Sequence, residues 1–258
     1  MRAIYDWPIW IPVLVILLLS LGAGELGFRY GRSQQVSDSE RDIVNTLRTS
    51  TLGLVALLLG FSFAITSSRF NERSRLVTDE ANAIGTCWLR AGLVAEPARG
   101  DIRAALRRYT DLRVESFEKG LDPREFARLA DSMHATLARL WTGITRAVNA
   151  NPNQALTSAI VPAANDVIDL STTREWIRTF HMPPSVVGLL AFSIILCGAM
   201  SGHALGQARR RHVILSLGLN LLILIVAFVV LDFDRPRRGL IRVDQTPLLR
   251  VQESMASP

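Results

Sequence analysis

The sequence predicts an all-α integral membrane protein, with four transmembrane helices and a large, helical, water-soluble insert between the second and third. Three observations predict it. Apolar residues make up 49% of the 258-residue chain, at a mean hydropathy of +0.24, yet they are concentrated in four blocks near bilayer-crossing length, and the remainder is strongly charged. Between the second and third blocks, apolar positions recur every three or four residues. Nothing there alternates with the period of two that a strand requires. Residues 1–68 are thus expected to hold two membrane helices and a polar connection, 69–183 the insert, 184–231 the third and fourth membrane helices, and 232–258 a C-terminal tail.

The first block, WPIWIPVLVILLLSLGA, runs from Trp7 to Ala23. At about 17 residues it is at the short end of the spanning range. Arg2 and the small residues after the block would suit a cleaved signal peptide. Asp6 weakens the positive flank such a peptide needs, Trp7, Trp10 and Pro12 crowd its start, and the other blocks need membrane insertion in any case. A retained helix is expected, with Tyr5, Trp7 and Trp10 at an interface. Residues 25–50 read as a polar connection, with Arg29, Arg32, Arg41 and Arg48 set against Glu25, Asp38, Glu40 and Asp42, and with a surface helix from Ser37 to Arg48.

The second block, Thr51 to Ser68, is apolar but rich in small and hydroxyl residues. Gly53 and Gly60 lie two helical turns apart on one face, with Leu57 between them and Ala64 after. Small residues let helices approach closely in lipid, so this face either packs on a neighbour or lines a pore. No breaker ends the segment. Phe70, Val77, Ala81, Ile84 and Trp88 continue a helical stripe, while Glu72, Arg75, Asp79 and Asn82 recur on another face. The helix is therefore expected to run on into the insert as one rod.

Three more helices follow in the insert, over about Ala98–Lys119, Asp122–Ala150 and Gln154–Phe180. Asp122-Pro123 is a start signal, and NANPN at 149–153 is a turn. His181-Met182-Pro183-Pro184 ends the last of them and opens the third block, Ser185–Leu205, which is followed by Arg209, Arg210 and Arg211. The fourth block spans Val213–Leu231, and Asn220, its only strongly polar residue, suits an interhelical hydrogen bond. Short apolar pieces of the tail are expected to lie along the insert.

The net charge is +6 and the pI about 10.3, and Lys119 is the only lysine among 29 basic residues. The arginines flank the apolar blocks, where cations meet lipid phosphates. With no nucleic-acid motif present, the lipid bilayer and not nucleic acid is the expected partner. Cys87 and Cys197 read as free thiols, and His134, His181, His203 and His212 lie without ligand spacing, so no metal or cofactor is expected. Asp79 and Glu80 are adjacent and face different sides of a helix; Asp79 is expected to pair with Arg75. No phosphate loop or nucleophile motif appears, so no catalytic residue is assigned and an enzyme is not expected. A transporter would call for an internal repeat or a mid-span charge, and neither is seen.

Four spans put the insert and both termini on one side. Ten arginines near the membrane on that side against seven on the other incline it toward the cytoplasm, although the Arg209–Arg211 cluster pulls the other way.

The segment LLGFSFAITSSRFNERSRLVTDEANAIG, 58–85, resembles the segment that follows the pore helix in bestrophins, with Leu59-Gly60-Phe61, then Arg69-Phe70 and Glu72. DEANAIGTCWLRAGL (79–93), NDVIDLSTTREW (165–176) and DFDRPRRGLIRV (232–243) resemble the bacterial bestrophin-like membrane family. The resemblance implies a homopentamer around a central pore, in the bacterial inner membrane, with a cytoplasmic helical vestibule and small anions as the permeant species. It also implies a constriction of three apolar residues four apart on the second helix. The matching positions are Gly53, Leu57 and Phe61, of which Gly53 offers no apolar wall. Phe63, Ser62 and Thr66 complete the candidate lining. A charge network is assigned to Arg69, Glu72, Arg75, Asp79, Glu80, Asn82, Asp166, Asp169, Arg174, Asp234, Arg235 and Arg238. The competing expectation is a non-conducting membrane scaffold or sensor whose insert binds a partner or ligand.

Overall fold

The computed structural model describes residues 8–35, 37–119, 122–209, 211–235 and 239–256. Eight helices occur among them: α1 Trp10–Ser33, α2 Asp38–Ala91, α3 Ala98–Lys119, α4 Pro123–Ala150, α5 Gln154–Thr179, α6 Pro184–Gln207, α7 Val213–Phe233 and α8 Thr246–Ala256. They form two compact units. Met1–Phe70 with His181–Ile241 is one, carrying the apolar helices, and Asn71–Phe180 with Arg242–Pro258 is the other. Arg2, Tyr5, Asp6, Trp7, Arg210, Arg237 and Arg238 lie outside the described residues.

In the membrane unit, α1 continues ten residues beyond the expected end at Ala23. The extension has a packing cause. Gly198, Gly202 and Gly206 recur every fourth residue on one face of α6, and the backbone of α1 lies directly against them. A β-carbon at Gly202 would stand 1.9 Å from the Gly24 carbonyl oxygen, and one at Gly206 would stand 2.2 Å from that of Phe28. From the other side, β-carbons at Gly27 and Gly31 would meet the carbonyl oxygens of Ala199 and His203, each at 2.2 Å. Glycines at four-residue spacing let two backbones close to this distance in lipid, where dispersion and weak Cα–H···O contacts hold them. The glycines of 24–31 therefore belong to a packed helix, and Glu25 and Arg29 project from its outer side as an i, i+4 pair.

The surface helix expected over Ser37–Arg48 is the first part of α2, an unbroken 54-residue helix. Its start is a capping box: Ser37 N donates to Glu40 Oε2 at 2.8 Å, and Glu40 N donates back to Ser37 Oγ at 3.4 Å. Within the membrane unit, Val55 and Leu59 of α2 join Leu190, Ile194 and Cys197 of α6 and Ala227 and Val230 of α7 in one apolar core. Asn220 makes the interhelical bond that its type suggests, its Oδ1 accepting from Ser20 Oγ at 2.9 Å and its Nδ2 donating to Ser216 O at 2.8 Å. At the end of α7 two buried aspartates, Asp232 in its last turn and Asp234 at its C-cap, accept from later and earlier backbone. Asp232 accepts from the backbone N–H groups of Leu240 and Ile241, each at 2.9 Å. Asp234 Oδ2 accepts from Met182 N at 2.9 Å, just ahead of α6.

The insert unit is a helical bundle whose core includes Ile84, Ile102, Leu106, Leu129, Leu140, Ile144 and Ile160, all fully buried. Asp122 caps α4, accepting from Arg124 N at 2.8 Å with Pro123 in the first position. Asn153 caps α5 through Ala155 N and Leu156 N. Removing the α4 cap with Asp122→Ala should cost about 1 kcal/mol, read as a lower midpoint in chemical denaturation of the protein. The tail is structured. α8 buries Leu248 and Met255 in this unit, Arg107 donates to the Met255 carbonyl at 2.6 Å, and Gln252 donates to Asp111 at 2.7 Å.

Candidate functional site

Two features stand out, one in each unit. The first is a bare face of α2. Val55, Leu59, Ser62 and Thr66, spaced four, three and four, form its buried stripe. On the other side lie Gly53, Ala56, Leu57, Gly60, Phe61, Ala64 and Ser68, with Leu54 and Ile65 at its edge, all exposed. Leu57 is 54% exposed and Phe61 61%. A β-carbon added at Gly53 or Gly60 would meet nothing within 4 Å. These glycines are therefore not packed within the chain, in contrast to Gly27 and Gly31 of α1 and Gly198, Gly202 and Gly206 of α6. The exposed faces of α7 and α1 carry large aliphatic residues more densely, among them Ile214, Leu215, Leu221, Leu222, Leu18 and Leu19. Such side chains suit contact with acyl chains.

The candidate lining divides accordingly. Gly53, Leu57 and Phe61 share the bare face. Ser62 and Thr66 do not, because they point into the protomer, where the Thr66 hydroxyl donates to the Ser62 carbonyl at 2.9 Å. Phe63 turns toward α7 and meets Phe233 edge-on, with ring centroids 5.7 Å apart. These three are set apart from the lining by helical geometry: steps of one, two or five residues from Phe61 leave its face.

The second feature is a buried ionic node in the insert. Glu80 on α2 is fully buried, and its two carboxylate oxygens are divided among three donors. Arg113 Nε donates to Oε1 at 2.8 Å, the Tyr109 hydroxyl donates to the same oxygen, and Arg174 donates to Oε2. Arg113 reaches on to the Ser171 carbonyl at 3.2 Å, and Arg174 to Gln245 Oε1 at 3.5 Å. Burial alone would raise the Glu80 pKa, but the Arg113 and Arg174 guanidiniums outweigh it and hold the carboxyl below the usual range. Two cations on one carboxylate leave the node with a net positive charge. Burial also pushes the Cys87 thiol, in the same unit, up to about 12, which keeps it an inert core residue.

Of the assigned charge network, Glu80 and Arg174 meet here. Arg75 donates to Asp79 at 3.3 Å on the surface of the same helix. Glu72, Asn82, Asp166 and Asp169 are exposed and stand outside the node. Arg69 is half-buried, and Asp234 and Arg235 are buried, in the membrane unit. Sequence reasoning missed Arg113 and Tyr109. A signal was present, since Ile102, Leu106, Tyr109 and Arg113 are successive core positions of α3, and an arginine in a core register needs a buried acid.

The bestrophin-like domain family model matches residues 14–248. No curated protein matches the sequence. Among solved structures, one variant of a bacterial bestrophin homologue from Klebsiella pneumoniae has a TM-score of 0.70 at 15% identity, covering 98% of this chain and 100% of its own. A second variant gives 0.69 at 14%, covering 95% and 97%. The structure of that homologue phased on zinc gives 0.67 at 15%, covering 96% and 95%. At such identity these likenesses establish the fold. The family match extends from α1 to α8 and so through both units, and the chain is a membrane protein belonging to the bestrophin-like family.

Proposed function

We propose that the protein is a homo-oligomeric membrane pore, a passive channel for small anions, with Gly53, Leu57 and Phe61 of each subunit facing the axis. The observation that carries this is the bare face of α2, where Gly53, Gly60, Ala64 and Ser68 surround the exposed Leu57 and Phe61, with Leu54 and Ile65 along one edge. Around an axis, Leu57 and Phe61 form apolar rings that gate by dewetting. The positive edges of the Phe61 rings tolerate a passing anion. Gly53 leaves the lining wider one turn away. The net positive charge of the chain favours anions over cations. Fivefold symmetry, location in the bacterial inner membrane, and a cytoplasmic insert and termini follow the family resemblance.

Reconstitution in planar bilayers tests the proposal. The purified protein should pass anion currents, and Phe61→Ala should raise unit conductance severalfold by opening the narrower ring. Silent bilayers from a demonstrably intact oligomer would overturn it and favour the scaffold.

A further inference from the structure

A cluster at one end of the membrane unit has no part in the pore. Glu25 on α1 holds two arginines on a single carboxylate oxygen. Arg29 Nε donates to Oε1 at 2.9 Å and Arg211 Nη2 at 3.2 Å. Arg211 is fixed further by lying over the Phe28 ring, 4.3 Å from its centroid. Both guanidiniums are nevertheless outward, with side chains 73% and 53% exposed. Each has used one donor of five on the carboxylate. Arg32, one turn beyond Arg29, adds a third cation on that side. The next two acids along the chain are engaged at the start of α2: Asp38 pairs with Arg41 at 3.5 Å, and Glu40 closes the cap. Leu26 on α1, three residues before Arg29, and Ile214 on α7, three residues after Arg211, are both exposed aliphatic side chains.

We infer that this diarginine clamp binds the headgroup phosphate of an anionic phospholipid. Two adjacent guanidinium forks match the geometry of phosphate oxygens, and one carboxylate pre-positions them without neutralising both. Leu26 and Ile214, each within one helical turn's sequence spacing of a clamp arginine, offer acyl chains an apolar surface. That pairing of cation and exposed aliphatic side chain selects a lipid over a free phosphate ion. The inference stands apart from the pore proposal, since it needs neither conduction nor a particular subunit number.

The full-length protein in detergent, titrated with phosphatidylglycerol or phosphatidylcholine and followed by native mass spectrometry, tests it. Phosphatidylglycerol should bind about tenfold more tightly than phosphatidylcholine. Arg29→Gln with Arg211→Gln should remove that preference. Arg128→Gln with Arg146→Gln, which deletes the same charge from the insert surface, should leave it intact. Glu25→Gln separates a built site from overall charge. It makes the protein more positive, so plain attraction would tighten binding, whereas loss of the carboxylate that aligns the clamp should weaken it severalfold. Retained preference in the clamp variant, equal loss in the insert variant, tighter binding by Glu25→Gln, or displacement of the lipid by inorganic phosphate at equal concentration would each overturn the inference.

Discussion

Gly202→Leu should abolish the folded membrane unit. At this position even a β-carbon would sit 1.9 Å from the Gly24 carbonyl oxygen, so alanine already forces α1 and α6 apart. Overpacking a close contact costs about 1–3 kcal/mol, and a leucine adds three more carbons where the partner is rigid backbone. The loss is not local, because α1 meets α6 at successive turns through Gly24, Gly27 and Gly31, and separation at one turn weakens the rest. Fluorescence-detected size exclusion should show no monodisperse peak for Gly202→Leu, and Gly202→Ala should melt well below wild type. Gly53→Ala is the contrast. Its added methyl meets nothing in the protomer, and it removes a glycine from a helix interior, a gain of up to about 1 kcal/mol. Its protomer should be as stable as wild type or more so, which confines any effect on currents to the bare face.

The second large effect is expected at Glu80. Glu80→Gln keeps the volume but leaves Arg113 and Arg174 buried without their counter-charge. Breaking a buried pair in this way costs about 3–5 kcal/mol, enough to unfold much of a marginally stable insert. Acid should have the same effect on the wild type. The folded Glu80 carboxyl titrates below its unfolded value near 4.5, so its contribution is fully present above that pH and is lost as pH falls through the depressed folded value. Wild-type stability, measured by chemical denaturation, should therefore fall with acidification below about pH 4.5, and Glu80→Gln should lack this component of the slope. An unchanged midpoint for Glu80→Gln at neutral pH would show that the node contributes no net stability.

The membrane spans and insert helices were legible where local chemistry marks them. Asp122-Pro123 and NANPN set the ends of α4 and α5, and Asn220 announced its interhelical bond because an amide in hydrocarbon needs a partner. The second half of α1 was not legible. Residues 24–33 mix glycine with charge, which reads as a loop until the facing helix, more than 150 residues later, is known to carry glycines at matching spacing. For the face of Gly53 and Gly60 the spacing allowed either packing or a pore lining, whereas the set packed within the chain includes Gly198, Gly202 and Gly206, whose four-residue repeat is the stronger signal. In the insert, Glu80 and Arg174 were each picked out but could not be joined, since 94 residues separate them and Arg113 bridges from a third helix. The bare face was half legible. Helical spacing placed Gly53, Leu57 and Phe61 together, but only the packed neighbours reveal that Ser62 and Thr66 point inward and Phe63 toward Phe233.

Whether the bare face of α2 lines a conducting axis is tested most directly by substituted-cysteine accessibility during bilayer recording. A charged thiol reagent should change the current through Leu57→Cys within seconds. It should leave Leu221→Cys, on the aliphatic face of α7, unaffected. Both native thiols, Cys87 and Cys197, are buried, so the wild-type background should be silent. Modification that acts at Leu221→Cys and spares Leu57→Cys, or a reconstituted oligomer that carries no current in any form, would contradict a pore lined by Gly53, Leu57 and Phe61.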